Sequence, residues 1–144
     1  MAGVVFVAAV VCACLAPSLF LGRVLVPRDT FLTYRPWISG PMPMDRIHVP
    51  EMDAVDEQYA FRSLSDAAQS RGEVPLWNPL AFSGAPFAAN NASAVFYPLN
   101  VLLAGTGVES WFGVSAALHL VLAGAGVLAF LRRRKASLDA AVLG

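Results

Sequence analysis

The sequence predicts a mostly α-helical, polytopic membrane protein in which two transmembrane helices flank a large external loop. Hydrophobic residues make up 57% of the 144 residues and charged residues 14%, against roughly a half and a quarter in an average soluble domain. Residues 2–22 carry no charge, and residues 111–131 contain one ionisable side chain, that of His119. Each run matches the roughly 20 residues that a helix needs to cross a bilayer. The formal net charge is zero, so the charge balance predicts no nucleic-acid partner.

Transmembrane helix 1 is predicted over residues 1–26, with a kink at Pro17. A cleaved signal peptide is the alternative for this stretch. The stretch has no basic start, however, and its apolar part is longer than the roughly 7–15 residues of a signal core. We therefore expect an uncleaved membrane anchor.

The external loop is predicted over residues 27–110, and its clearest element is an amphipathic helix over about residues 53–71. Four apolar side chains recur at helical spacing and predict the buried stripe of this helix: Ala60, Leu64, Ala67 and Ala68. Gly72 then provides a natural C-terminal stop. The stretch from Pro75 to Pro98 is rich in Pro, Asn and aromatic residues, which predicts irregular backbone. A short helix is predicted after it, over residues 99–104.

Transmembrane helix 2 is predicted over residues 111–131 and is followed by a cytoplasmic basic segment over residues 132–144. Small residues recur along this helix, and small residues let membrane helices approach closely. We therefore expect it to pack against the remaining transmembrane helices of a longer protein. The basic side chains directly after the span predict its cytoplasmic end: Arg132, Arg133, Arg134 and Lys135. The loop over residues 27–110 is then external.

The candidate catalytic residues are three carboxylates at the start of the loop helix: Asp53, Asp56 and Glu57. Residues three and four apart share one face of an α-helix, so the three side chains are expected to converge. Converging carboxylates suit a general base or a divalent cation site, and the sequence leaves the metal unknown. The alternative is that acidic residues favour the positive N-terminal end of a helix, with Asp53 as its cap.

The candidate substrate-binding residues combine acid, amide and aromatic side chains: Asp29, Trp77, Asn78, Asn90 and Tyr97. Amides hydrogen-bond to hydroxyl groups, and aromatic faces stack on sugar rings, so a sugar or a lipid phosphate is the expected ligand. In the alternative interpretation, Asn serves the backbone geometry of turns and the aromatic residues anchor the chain at the membrane interface. Asp29 would then be a solvated acid paired with a neighbouring Arg.

Three runs carry a resemblance to a known family: Gly72–Pro79, Ser83–Asn90 and Ala94–Asn100. Together they resemble the first external loop of bacterial YfhO-like membrane proteins, which are large multi-pass proteins of the GT-C glycosyltransferase type. The resemblance extends from about Val26 to the chain end. In that family an Asp precedes the loop helix, and Asp53 occupies its position, although Ala60 stands where the family usually has Pro. Residues 56–60 also resemble the Asp-Glu-x-x-Tyr-Ala loops of other lipid-linked sugar transferases, so both Asp53 and Asp56 are candidates for the base.

The resemblance implies a multi-pass protein of the bacterial cytoplasmic membrane, of which this chain is the N-terminal portion. The implied reaction transfers a sugar from a polyprenyl-phosphate donor to a cell-envelope acceptor, with a loop carboxylate as base. Two helices cannot enclose a lipid-linked donor, so the 144 residues alone are expected to be inactive. The alternative function is a non-catalytic assembly or transport subunit whose external loop binds membrane lipid or a protein partner.

Overall fold

The computed structural model describes residues 2–26, 40 and 53–135, and these are mostly helical. Asp29 lies outside the described residues. The chain divides into two compact units, one formed by Met1–Arg23 with Phe112–Gly144 and the other by Val24–Trp111. The predicted loop, over residues 27–110, therefore corresponds closely in extent to the second unit.

The first helix is shorter than the sequence predicts. It consists of α1 (Ala2–Cys14) and α2 (Ala16–Phe20), which are separated at Leu15. Pro17 stands in the first turn of α2, and a proline cannot donate the backbone hydrogen bond that would continue α1. Its carbonyl oxygen accepts hydrogen bonds from the amides of Leu21 and Arg23, which closes α2. The interruption at Leu15 agrees with the expected kink at Pro17, whereas the helical backbone ends at Phe20 and not near residue 26.

The second apolar run forms α5 (Val108–Arg133), which begins and ends slightly outside the predicted span. Within the described part of the chain, it is the one helix long and apolar enough to cross a membrane. The helix α1 is also apolar, but its 13 residues are fewer than a spanning helix needs. One membrane helix is thus supported by length and composition, and a second span remains a prediction.

Small residues bring the two apolar segments of the first unit into close contact. A Cβ atom on Gly3 would lie 3.2 Å from Leu128, one on Gly124 would lie 2.5 Å from Val7, and one on Gly113 would overlap the hydroxyl of Ser18. In all three pairs the residue numbers add up to the same value, so the segments run antiparallel in one constant register. The prediction that small residues on α5 serve close helix packing agrees with these contacts.

His119 finds its hydrogen bond within α5. Its Nδ1 lies 2.7 Å from the backbone carbonyl oxygen of Ser115 and 3.4 Å from the hydroxyl of the same residue. Because a carbonyl oxygen only accepts, Nδ1 carries the proton in this arrangement. The ring of this ionisable residue is therefore bonded to the preceding turn of its own helix.

The loop helix is present over Asp53–Gln69, as a π-helical turn (Ala54–Tyr59) followed by α3 (Ala60–Gln69). Its end follows from Gly72, whose φ of 73° lies in the left-handed region. The Gly72 amide donates to the carbonyl of Gln69 and the Glu73 amide donates to that of Ala68. These two bonds form a Schellman motif, in which glycine meets no steric penalty.

The buried face of this helix differs from the predicted stripe. Of the predicted stripe, Ala68 is buried, whereas Ala60 and Ala67 are exposed. Three positions outside the stripe are buried as well: Val55, Arg62 and Ser65. The physical reason is that alanines bury little apolar area, so they do not decide which face turns inward. An aromatic pair and a buried arginine, both described below, decide it instead.

A short hairpin forms the centre of the second unit. β1 (Trp77–Asn78) pairs antiparallel with β2 (Ala85–Pro86), and the Phe87 amide donates to the carbonyl of Leu76 beyond the ladder. Phe87 is 1% exposed, and its ring meets that of Phe61 on α3 edge-on at 5.3 Å between centroids. This contact fixes the hairpin against the helix.

After the hairpin the chain forms a 3-10 helix (Asn91–Ser93) and then α4 (Pro98–Leu102). Asn100 is buried, and its side-chain amide donates to the carbonyl of Ala94 at 2.8 Å. Ala94 has a φ of 46°, a conformation that costs a non-glycine residue about 1 kcal/mol. The Asn100 side chain therefore supports the strained turn that joins the 3-10 helix to α4.

Candidate functional site

One cavity of the second unit brings together several of the residues that the sequence singles out. Its volume is about 310 Å³, at the lower end of the range of small-molecule sites. Its acidic and amide lining residues are Asp56, Glu57, Asn78 and Asn90. Its other described lining residues are apolar: Phe61, Ala81, Phe82, Ala85, Pro86 and Phe87. We refer to it as the acid–amide cavity.

Three elements meet around the acid–amide cavity. The π-helical turn contributes the two carboxylates, and it lies against the 3-10 helix that follows Asn90. The hairpin contributes Asn78 and the aromatic floor, which the edge-on contact of Phe87 with Phe61 holds in place. Residues far apart in sequence therefore reach one site because a single aromatic contact joins the helix to the hairpin.

The three predicted carboxylates do not converge. Asp56 and Glu57 both line the cavity, whereas Asp53 is exposed at the start of the helix and is absent from the described lining. One cause is the π-helical turn, whose i→i+5 hydrogen bonds make it wider than an α-helical turn, so residues three apart, such as Asp53 and Asp56, no longer share one face. Among the described residues, no group of three His, Cys, Asp or Glu side chains is placed to hold a metal ion.

Asp53 also lacks the capping role of the alternative interpretation. Its backbone is already α-helical, and its side chain makes no capping hydrogen bond. Its negative charge still lies at the positive end of the helix, where it is favourable.

Asn78 and Asn90 both reach the cavity, and both also close turns. The side-chain oxygen of Asn78 accepts from the amide of Leu80, and that of Asn90 accepts from the amide of Ala92, each at 2.9 Å. Neither bond uses the NH₂ group of the side chain, which is a donor that each asparagine can offer a ligand. The carboxylates supply acceptors opposite, so the cavity can bind a group that both donates and accepts, such as a hydroxyl.

Two further predicted residues lie outside the acid–amide cavity. Trp77 is 56% exposed, and its ring covers Gly84 at the base of the hairpin loop. Tyr97 is partly exposed directly before α4. Neither is among the described lining residues of this cavity, and a sugar-stacking role for them stays a prediction.

A buried arginine is the feature that the sequence reasoning missed. Arg62 is 5% exposed, and its guanidinium donates to the side-chain oxygen of Gln69 at 3.0 Å. It lies 3.8 Å from the Asp66 carboxylate and 5.3 Å from the ring centroid of Trp111. Burial lowers the pKa of the Arg62 guanidinium from its ordinary value, and the attraction of Asp66 opposes that change. The spacing of Arg62 and Asp66, four residues apart, was the available signal.

Comparisons of the chain with known proteins found no matching family model, no matching curated protein and no matching solved structure. The functional interpretation therefore depends on the cavity itself and on the sequence resemblance described above.

Proposed function

We propose that the chain is the N-terminal portion of a membrane glycosyltransferase of the bacterial cytoplasmic membrane, with two transmembrane helices flanking the external loop. In this proposal a sugar moves from a polyprenyl-phosphate donor to a cell-envelope acceptor. The observation that supports it is the convergence of Asp56, Glu57, Asn78 and Asn90 on one cavity with an aromatic floor. The resemblance to YfhO-like proteins supplies the reaction class.

The chemistry of the cavity suits the acceptor more than the donor. None of its described lining residues is basic, and a phosphate is best bound by Arg, Lys or clustered backbone amides. An acceptor hydroxyl, by contrast, needs one proton acceptor and one donor. In the proposed step, a carboxylate of the cavity accepts the hydroxyl proton as the oxygen attacks the sugar, and the phosphate leaves with the electron pair of the broken bond.

Glu57 is the better placed of the two carboxylates for this role, since it is half-buried while Asp56 is exposed. A general base contributes about 100-fold to 10,000-fold to a rate. We expect Glu57→Gln or Asp56→Asn, in the protein encoded by the complete reading frame, to lower sugar transfer by about that factor. The measurement is transfer of radiolabelled sugar from a polyprenyl-phosphate donor in membranes.

Asp53→Asn is the matched control, because Asp53 is on the same helix but outside the described lining of the cavity. Loss of transfer in Asp53→Asn alone would move the base to the position that the family resemblance favours. Wild-type transfer in both Asp56→Asn and Glu57→Gln would refute the cavity proposal.

A second candidate function is a non-catalytic subunit whose loop binds lipid or a protein partner. It is favoured by the hydrogen bonds of three asparagines. The side chains of Asn78, Asn90 and Asn100 all stabilise turns of the backbone, which is a structural role and needs no ligand. Under this alternative, sugar transfer in membranes is the same for the wild-type protein and for each carboxylate variant that is produced at the wild-type level. They would also leave its membrane insertion unchanged.

A further inference from the structure

We infer that residues 74–108 form a membrane-insertion surface, which enters the interfacial layer of a lipid bilayer from outside. The first supporting observation is the distribution of charge. Residues 74–108 contain no Asp, Glu, Lys, Arg or His, and the nearest charged residues are Glu73 and Glu109. Within the described part of the second unit, the remaining charges are on the loop helix and on Arg71. This inference does not depend on the reaction proposed for the acid–amide cavity, although Phe82 lines that cavity as well.

The segment exposes large apolar side chains at two places. At the tip of the hairpin, Phe82 is 97% exposed and Leu80 is 86% exposed. On α4, Leu102 is 77% exposed and Val101 is 54% exposed. The same segment buries Phe87 almost completely, so it does form a core with some of its apolar residues. The outward residues are an additional set, and large apolar side chains left exposed in this number call for a partner that covers them.

The backbone of the hairpin loop holds its tip in an unfavourable conformation. Phe82 has a φ of 52° and Ser83 a φ of 62°, which is the left-handed region that residues other than glycine rarely occupy. The loop is fixed by hydrogen bonds from the Leu80 amide to Asn78 and from the Gly84 amide to Ala81. Strain of this kind persists where the surrounding structure imposes it, often at functional positions. The tip is therefore ordered in advance and presents Phe82 outward.

An apolar groove accompanies α4. It has a volume of about 370 Å³, and most of its described walls are apolar: Val74, Pro75, Val95, Phe96, Val101 and Ala104. Gln69, Gly72 and Glu73 complete its described lining. A mostly apolar groove with a few polar groups suits a hydrocarbon chain whose headgroup stays in water.

Chain connectivity identifies the bilayer as the partner. The helix α5, which is long and apolar enough to cross a membrane, begins at Val108, and α4 ends at Leu102. Six residue steps reach at most about 20 Å, so α4 is held within that distance of the start of the span. Trp77 and Tyr97 are partly exposed within the same segment, and these residue types favour the headgroup layer.

Fluorescence quenching by lipid tests this inference directly. The full chain is prepared with Cys12→Ala and Cys14→Ala and receives a single cysteine at Leu80, Phe82 or Leu102. Each cysteine is labelled with the polarity-sensitive dye NBD, and the protein is reconstituted into vesicles of phosphatidylethanolamine and phosphatidylglycerol. Acyl-chain spin-labelled lipid is then added as the quencher. We expect a blue-shifted spectrum and loss of most of the emission at all three positions.

Two further positions serve as controls. Ser70→Cys reports the polar end of the loop helix and is expected to show neither the shift nor the quenching. Leu122→Cys, which is exposed on α5, is expected to be quenched if this helix crosses the bilayer. Labels at Phe82 and Leu102 that behave like the label at Ser70 would overturn the inference. A blue shift without lipid quenching would also overturn it, since a protein partner or a second copy would then cover the surface. Absence of quenching at Leu122 would also overturn it, because α5 would then not hold the surface at a bilayer.

Discussion

Replacement of Phe87 by alanine is the most informative test of the second unit. The side chain is 1% exposed and contacts the ring of Phe61 edge-on, so truncation removes both buried area and an aromatic pair. Comparable Phe→Ala changes in protein cores cost about 3–5 kcal/mol. A unit of this size has a total stability of roughly 5–10 kcal/mol, so the loss is a large part of what holds the hairpin to the helix.

Hydrogen exchange of the α3 backbone amides measures this loss in detergent micelles. A destabilisation of about 3 kcal/mol corresponds to roughly 100-fold faster exchange through unfolding, since each 1.4 kcal/mol is tenfold. Phe82→Ala is the matched control, because the same chemical change is made at a side chain that is 97% exposed. Unchanged exchange in Phe87→Ala, or an equal acceleration in Phe82→Ala, would refute the assignment of Phe87 as the centre of the core.

Three further predictions follow from local geometry. Gly84→Ala places a Cβ atom 2.8 Å from the Trp77 ring at a φ of 115°, so it should destabilise the unit by about 2–3 kcal/mol. Gly105→Ala is the control, because Gly105 has a φ of 77° but open space around it. This change should cost about 1 kcal/mol. Equal thermal shifts for the two would contradict the predicted contact. Arg62→Lys should lose about 1–3 kcal/mol in denaturant unfolding, because lysine lacks the planar fork that bonds to a side-chain oxygen and stacks on an indole; wild-type stability would contradict this. The Arg71 guanidinium lowers the pKa of the Glu73 carboxyl by hydrogen bonding and by charge, so this stabilisation is present above the ordinary pKa of Glu and is lost as the pH falls. Carbon NMR titration should show that Arg71→Gln returns the Glu73 pKa to its ordinary range, and an unaltered titration would exclude the pairing.

Local signals in the sequence predicted the elements whose cause is local. The loop helix begins near Asp53, as predicted. Its C-terminal cap includes Gly72, because glycine adopts the left-handed conformation without strain. A short helix before the second apolar run was expected over residues 99–104 and is present over Pro98–Leu102. The long apolar helix likewise follows from its composition.

The parts that sequence reasoning did not predict depend on contacts between distant residues. Helical spacing made Asp53 equivalent to Asp56, but the π-helical turn separates them. Alanines suggested the buried face of α3, whereas Arg62 and the aromatic ring of Phe61 determine it. The spacing of Arg62 and Asp66 indicates their pairing, but neither the turn type nor the burial of Arg62 has a reliable signal in the sequence, because each is set by neighbours that only the fold supplies.

The glycines of α5 leave room that side chains of α1 and α2 occupy. Val7 fills the room that Gly124 leaves, and Ser18 fills the room beside Gly113. Volume can therefore be exchanged across the contact but not added to it. A methyl group added at position 124 has to be offset by a smaller side chain at position 7. Gly124→Ala alone should destabilise the contact, and the double change Gly124→Ala with Val7→Ala should be tolerated. Substitutions at these two positions are therefore expected to occur together.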